Sequence, residues 1–222
     1  MSNMDRIRDM SFGDCEIDAA ESADHKVFAR RGYVVLPALL ETPLADFFWS
    51  YAHTKFASML MPVGDKQVPN SPFGYGDPAF DALLEYLRPR IESHSGLRLM
   101  PTYSYFRLYR RGDFLDRHRD RPACEISVSL NIGQTPSEPW PLYVMGDSES
   151  HGALLSPGDA LLYRGIDCLH WRERFQGTRL VQAFLHYVDG DGRHADQKFD
   201  GRRTLMRPRE GDAADRYLSQ EM

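Results

Sequence analysis

Two segments of the chain repeat apolar side chains at the spacing of an amphipathic helix. The first follows Thr42, which we expect to cap a helix that begins at Pro43, because proline suits the first helical turn. The second runs from about Ala79 to His94. Their apolar positions are Leu44, Phe47, Phe48, Tyr51 and Phe56 in the first segment and Phe80, Leu83, Leu84, Leu87 and Ile91 in the second. The pattern predicts two helices, each with one buried face.

Beyond Gly96 the pattern changes to a two-residue repeat, which is typical of strands. In residues 102–109 the tyrosines and Arg107 alternate with smaller or apolar side chains. Further short strands are predicted at 33–36, 124–132, 141–145, 153–155, 160–163 and 180–188. Many short strands separated by Gly, Pro and Asp turns, behind two helices, predict a mainly β protein with a jelly roll or a related double sheet.

The length and composition are those of one globular domain. The chain has 222 residues, of which 42% are hydrophobic and 27% charged. We expect a flexible N-terminal arm over residues 1–26, since that segment is acidic and weakly hydrophobic. The domain itself is expected over residues 27–200, followed by a charged C-terminal extension over residues 201–222.

Charge and cysteine content exclude several classes of protein. The net charge of -5 argues against a general nucleic-acid-binding surface, which needs many Lys and Arg side chains. No apolar run approaches the ~20 residues of a membrane helix, and the N-terminus lacks the apolar core of a signal peptide. Three widely spaced cysteines, Cys15, Cys124 and Cys168, fit neither a disulfide framework nor a thiolate zinc site. We therefore expect a cytoplasmic protein without membrane or nucleic-acid partners.

Candidate chemistry lies in a His-x-Asp pair at the end of the aromatic-rich strand. One residue separates His118 from Asp120, so both side chains lie on the same side of an extended segment. His170 follows at the end of a strand preceded by a Pro-Gly-Asp turn, where a sheet can bring it alongside. Two imidazoles and one carboxylate can bind one face of an octahedral Fe(II) and leave the other positions open. Arg179 begins an otherwise apolar strand, and a buried guanidinium requires an anionic partner.

In their order along the chain, these residues resemble the Fe(II)- and 2-oxoglutarate-dependent dioxygenases, in particular the prolyl-hydroxylase-like branch. The resemblance covers roughly residues 28–190. It rests on Tyr109, Gly112, His118-x-Asp120, the strand Ser127–Asn131, the turn Pro157-Gly158-Asp159, His170 and Arg179. It implies a double-stranded β-helix, the jelly-roll fold that the cupins also have.

The resemblance also implies a reaction and a role for each site residue. The two histidines and the aspartate are the catalytic iron ligands, and Arg179 pairs with the far carboxylate of the co-substrate 2-oxoglutarate. Tyr109 lines the co-substrate pocket, and Ser129 stands where many relatives have a tyrosine. The implied reaction consumes dioxygen, converts 2-oxoglutarate to succinate and CO2, and hydroxylates an aliphatic C-H bond. Asp120 favours hydroxylation, because halogenating relatives replace this carboxylate with a small residue.

The arginines around the metal motif favour an anionic substrate, since guanidinium binds carboxylate or phosphate. Tyr105, Arg107 and Arg172 are the candidate substrate contacts. We expect an amino acid or another small anionic metabolite, with a peptidyl or protein side chain as the alternative. A cupin-type metalloenzyme that does not use 2-oxoglutarate and a β-sandwich binding protein also stay open.

His186 is interpreted as a structural residue. It lies seven residues beyond Arg179 (186 - 179), so the two side chains occupy opposite faces of a regular strand. Because Arg179 is expected to face the co-substrate, His186 is expected to face away from it.

Overall fold

The computed structural model describes residues 19–136, 139–146 and 149–206. In these ranges it has three α-helices: α1 (Ala19–Arg31), α2 (Thr42–Ala57) and α3 (Pro78–Ser95). The first five strands are β1 (Tyr33–Leu36), β2 (Phe73–Tyr75), β3 (Leu99–Arg110), β4 (Leu115–His118) and β5 (Ile126–Thr135). The others are β6 (Leu142–Met145), β7 (Ser150–Ala153), β8 (Ala160–Arg164), β9 (Leu169–Arg172) and β10 (Arg179–Asp189). Short 3-10 helices cover Pro122–Cys124 and Ala195–Gly201.

The strands form two antiparallel sheets. The large sheet has the order β1-β8-β5-β10-β3-β2, and the small sheet has the order β4-β9-β6-β7. From β3 to β10 the chain crosses repeatedly from one sheet to the other, so that most neighbours within a sheet are distant in sequence, the hairpin of β6 and β7 being an exception. This is the winding of a double-stranded β-helix, and the predicted jelly-roll fold is confirmed.

The helices cover the outer face of the large sheet. Phe106 of β3 stacks on Phe80 of α3, with ring centroids 4.1 Å apart. Tyr187 of β10 is buried, and its hydroxyl donates to the carbonyl of Leu84 at 2.7 Å. Alternate residues of a strand point to opposite faces. Because the side chains on the face of Phe106 and Tyr187 pack against the helices, those on the other face of β3 and β10 line the interior between the sheets.

The predicted helices form, with small shifts at their starts. The N-cap of α2 is Glu41 rather than Thr42, which has already entered the helix. The helix α3 begins at Pro78, where the Asp77 carboxylate caps the backbone N-H of Ala79 at 3.0 Å. No helix in the described ranges is long and apolar enough to cross a membrane. The cytoplasmic location expected from the sequence stays a prediction.

Three short strands were not predicted as separate elements, and two of them carry the histidines. His118 ends β4 rather than the aromatic-rich strand β3, and the Pro-Gly-Asp turn leads into β8 rather than into the strand of His170. His170 lies within β9, directly opposite His118 in the pairing of β4 with β9. The strands β4 and β9 have four residues each and β2 has three, too few for alternation to distinguish them from loops.

Parts of the predicted N-terminal arm and of the predicted C-terminal extension contact the domain. The helix α1 begins at Ala19, and its Asp24 lies 3.0 Å from Nδ1 of His94 in α3. Residues 1–18 of the predicted arm and 207–222 of the predicted extension lie outside the described residues. Within the extension, Arg202 forms an ion pair with Asp81 of α3, and neither side chain is exposed.

We predict that the Arg202-Asp81 pair is required for stability. The Asp81 carboxylate also accepts hydrogen bonds from Ser104 and from the backbone of Met206, but Arg202 supplies its only cation among the described residues. Arg202→Ala should lower the free energy of unfolding by about 3–5 kcal/mol, because it leaves a buried charge uncompensated. Urea unfolding measures this, with the exposed neighbour Arg203→Ala as the control. Equal stability of the two variants would contradict the prediction.

Candidate metal centre and its pocket

Three side chains meet at the inner face of the small sheet. His118 ends β4, Asp120 follows two residues later, and His170 extends from β9. Nε2 of each imidazole lies 3.6 Å from Oδ1 of Asp120. One ligand atom from each side chain lies within 4.8 Å of the others, close enough for a single ion. The structure thus brings together the three residues that the sequence predicts as metal ligands.

Backbone carbonyls orient both imidazoles. Nδ1 of His118 lies 2.8 Å from the carbonyl of Asp116, and Nδ1 of His170 lies 3.0 Å from the carbonyl of Cys168. A carbonyl only accepts, so each Nδ1 carries the proton and each Nε2 offers its lone pair to the centre. Burial lowers the pKa of His170, against the opposing effect of the Asp120 charge. The neutral, metal-binding form of this imidazole is therefore favoured.

Asp120 is held from two sides. Its backbone N-H donates to the carbonyl of Gly165 at 2.9 Å, and its Oδ2 accepts from the hydroxyl of Ser127 at 3.1 Å. A Cβ atom at Gly165 would collide with Oδ2 of Asp120 and with the carbonyl of Cys124. Glycine is needed here for the close approach of the carboxylate rather than for its backbone angles.

A cavity of about 380 Å³ opens onto these three side chains. Pockets for small molecules span roughly 300–1,000 Å³, so this one is at the small end of that range. Its walls come from the inner faces of β3 and β10 and from the loop before β2. Besides the three candidate ligands, it is lined by Asp65, Gln67, Tyr103, Tyr105, Arg107, Tyr109, Leu115, Arg119, Arg121, Cys124, Tyr163, Phe184 and His186.

Arg107 joins the wall of the cavity to the loop across it. Its guanidinium is 2% exposed, and Nη2 bonds both the Asp65 carboxylate and the Tyr105 hydroxyl. Asp65 in turn accepts from the backbone N-H groups of Gln67 and Val68. Burial raises the pKa of Asp65, but Tyr105 and Arg107 together with those N-H groups leave it below its usual value. Nε of Arg107 is buried without a hydrogen-bond partner.

Arg172 is buried but does not line this cavity, and it lines a second pocket with Trp171 and Glu173. It is two residues beyond His170 on β9, on the same face of the strand. Its Nη1 donates to the carbonyl of Trp140 at 2.6 Å and its Nη2 to Oε1 of Gln182 at 3.0 Å. In the described part of the chain it has no carboxylate partner. Burial lowers the pKa of Arg172 to about 10, although the neighbouring Tyr109 acts to raise it.

Tyr109 lies near Arg172, whereas Ser129 is linked to Arg172 only through Gln182. The Tyr109 side chain lines the cavity, and its buried hydroxyl has no hydrogen-bond partner. Ser129 is buried one step further away, where its hydroxyl accepts from Nε2 of Gln182 at 3.0 Å. Because Gln182 also accepts from Arg172, the three side chains form a continuous polar chain.

The structure does not bring Arg179 to the cavity. Its side chain is exposed at the start of β10, where it stands opposite Arg110 of β3 and Thr135 of β5. Arg179 and His186 do lie on opposite faces of the strand, as predicted, but the faces are exchanged, since His186 is the one that lines the cavity. The interpretation of His186 as a residue that faces away is therefore corrected.

Sequence reasoning missed three residues around the site. His186 is buried, and burial lowers its pKa to about 4, so its ring is neutral at ordinary pH. The alternation of side chains along β10 would have identified His186 if the inward face of this strand had been known. Ser127 belongs to the strand Ser127–Asn131 named in the resemblance, but nothing in the sequence gave it a role, and it reaches the site because β5 pairs with β10. Asp65 reaches the site from the loop before β2, and no sequence pattern marks it.

The fold is similar to solved structures of oxygenases. A prolyl-4-hydroxylase from Pseudomonas putida superposes with a TM-score of 0.62 at 18% identity, over 77% of this chain and 100% of that one. The epimerase SnoN of nogalamycin biosynthesis, in complex with Fe3+, alpha ketoglutarate and nogalamycin RO, superposes with a TM-score of 0.66 at 15% identity, over 78% and 84%. A prolyl hydroxylase from Trichoplax adhaerens, in complex with a peptide of hypoxia inducible factor, superposes with a TM-score of 0.63 at 10% identity, over 85% and 94%.

No protein-family model and no curated protein matches the sequence. At identities of 10 to 18% the structural likeness establishes the fold alone. The chain therefore has the fold found in 2-oxoglutarate and iron(II) oxygenases, which agrees with the resemblance noted in the sequence.

We predict that Gly165→Ala weakens metal binding by at least about tenfold, as is common when a partner of a metal ligand is disturbed. The added methyl group has no room beside Asp120 and would displace the carboxylate. Gly190→Ala is the control, because its nearest neighbour is the end of the exposed Arg98 side chain, which can move. Calorimetric titration with Ni(II) measures both affinities. Unchanged affinity in Gly165→Ala would show that Asp120 does not need this space.

Proposed function

We propose that this protein is an Fe(II)- and 2-oxoglutarate-dependent oxygenase. The observation that carries the proposal is the convergence of two imidazoles and one carboxylate on a single cavity. The fold supports it, because SnoN and the prolyl hydroxylases use the same architecture. We infer the metal and the co-substrate from the donor groups that this chain presents.

The donor set fits iron. Two neutral imidazoles and one carboxylate occupy one face of an octahedral ion and leave the opposite face open, which is the arrangement of non-haem Fe(II) oxygenases. The carbonyl partners of both Nδ1 atoms fix the two rings in the ligating tautomer. His118, Asp120 and His170 would hold the ion, and all three side chains line the cavity.

The interior also fits the dianion 2-oxoglutarate, although not through the expected arginine. A buried guanidinium without a carboxylate partner is costly, and a bound carboxylate would remove that cost. Arg172 is in this situation, and the partnerless hydroxyl of Tyr109 lies close to it. We propose that Arg172 and Tyr109 receive the far carboxylate of 2-oxoglutarate. Arg179, which the sequence suggested for this role, is exposed.

When bound, iron and 2-oxoglutarate supply the oxidation of an unactivated C-H bond by dioxygen, with release of succinate and CO2. The chain itself contributes placement and shielding. The large sheet and its aromatic side chains close the cavity on one side, and the loop that Asp65 ties to Arg107 closes it on another. Exclusion of water strengthens the polar contacts inside.

For the substrate we favour an amino acid or another small anionic metabolite, hydroxylated at an aliphatic carbon. The support is the free Nε of Arg107, a buried donor on the cavity wall, together with the small size of the cavity. Tyr105 lies beside it and offers an aromatic surface. The alternative is a peptidyl side chain, which is favoured by the peptide bound to the Trichoplax adhaerens enzyme.

Succinate formation tests the proposed reaction. Purified protein with Fe(II), ascorbate and 2-oxoglutarate should release succinate slowly even without the primary substrate, and His118→Ala should abolish the release. His151→Ala is the control, because this histidine is exposed on β7. Metal binding without any consumption of 2-oxoglutarate would instead support a cupin-type metalloenzyme.

The two arginines form a matched pair for a binding test. Arg172→Leu should weaken the binding of 2-oxoglutarate to the Ni(II)-loaded protein by about 2 kcal/mol or more, which is about 30-fold, because a buried ionic contact is lost. Arg179→Leu should leave this affinity unchanged. Calorimetry gives both values, and circular dichroism checks that Arg172→Leu is folded. The reverse result would assign the co-substrate to Arg179.

A further inference from the structure

Ser127 joins three polar groups beside the candidate metal centre. Its hydroxyl lies 3.1 Å from Oδ2 of Asp120, 3.0 Å from the carbonyl of Cys124 and 2.9 Å from Nδ1 of His186. Ser127 is fully buried on β5. Polar groups buried in this way must form hydrogen bonds with one another.

The chemistry of these groups favours one direction for the hydrogen bonds. A hydroxyl has one proton, and a carboxylate and a carbonyl only accept. Ser127 therefore donates to one of these two acceptors, and we assign the Nδ1 proton to His186, so that its ring donates to the hydroxyl oxygen. The carboxylate is the stronger acceptor because it is charged. The resulting order runs from His186 through Ser127 to Asp120.

We propose that His186 and Ser127 position the Asp120 carboxylate for metal binding. Ser127 is the only side-chain hydrogen-bond donor to this carboxylate within the described ranges, and it holds Oδ2. Oδ1, the atom that faces both histidines, is then left for the ion. The inference rests on the proposed metal centre. It adds two residues of the large sheet that would hold a ligand of that centre in place.

Such a support is needed because Asp120 lies beyond the last residue of β4. No strand pairing fixes its side chain there. Ser127 and His186 belong to β5 and β10, which pair at these two residues within the large sheet. The hydrogen bond from Ser127 to Asp120 therefore connects the two sheets at the metal centre.

His186 is itself held firmly. Its ring packs on Tyr103 with centroids 4.6 Å apart, and the Tyr103 hydroxyl contacts Sγ of Cys124 at 3.0 Å. His186, Cys124 and Asp120 also lie close enough together to hold an ion of their own. Burial raises the pKa of the Cys124 thiol, which disfavours a thiolate ligand. Positioning of Asp120 accounts for this cluster better than a second metal does.

Cobalt(II) titration of the full-length protein, followed by visible absorption, tests the proposal. Ser127→Ala should bind cobalt about 10- to 100-fold more weakly than the wild type, the usual loss when the partner of a metal ligand is removed. His186→Phe should also weaken binding, and His186→Gln should restore it, because its amide N-H can donate to Ser127. Ser104→Ala is the control, since this fully buried serine of β3 donates to the Asp81 carboxylate on the outer side of the large sheet, away from the cavity.

A double-mutant cycle separates positioning from a general loss of structure. If His186 acts through Ser127, His186→Phe should have no further effect on cobalt affinity in the Ser127→Ala background. Thermal unfolding of the metal-free variants shows whether each one is folded. Wild-type affinity in folded Ser127→Ala, or an undiminished effect of His186→Phe in that background, overturns the inference alone. A wild type that binds no cobalt overturns the proposed function together with it.

Discussion

The pairing of β4 with β9 is the constraint on which the candidate site depends. It places His118 directly opposite His170, with ring centroids 4.2 Å apart. Both strands have only four residues. They are held in the fold by the pairing within the small sheet, in which β9 also pairs with β6. The large sheet, covered by the helices, provides the rigid surface against which this small sheet closes. A metal centre built on paired strands is more precise than one built on loops.

The interior between the sheets contains charged side chains, which are seldom fully buried unless they are paired. Two arginines are almost fully buried there, and they differ in how they are satisfied. Arg107 has Asp65 as its ionic partner, which ties a loop across the cavity. Arg172 has only neutral partners in the described part of the chain. Since a buried charge needs compensation, this difference is the reason for proposing Arg172 as the residue that pairs with a bound anion.

Much of the fold could be predicted from periodicity, because the long strands and the two amphipathic helices repeat their patterns over many residues. The short strands β4 and β9 could not, yet their histidines were found from residue type and spacing. The prediction that Arg179 faces the co-substrate was wrong for a different reason. Alternation shows that Arg179 and His186 lie on opposite faces, but it does not show which face is inward. That is decided by packing between distant segments: Tyr187 of β10 packs against α3, which leaves His186 on the inward face.

The visible spectrum of the protein under anaerobic conditions with Fe(II) and 2-oxoglutarate tests the proposed oxygenase site most directly. We expect a weak, broad charge-transfer band that requires both additions, because it arises only when 2-oxoglutarate binds to the protein-bound iron. The band should be absent in His118→Ala. Tight Fe(II) binding by the wild type with no band at saturating 2-oxoglutarate would show that the site does not bind 2-oxoglutarate at iron.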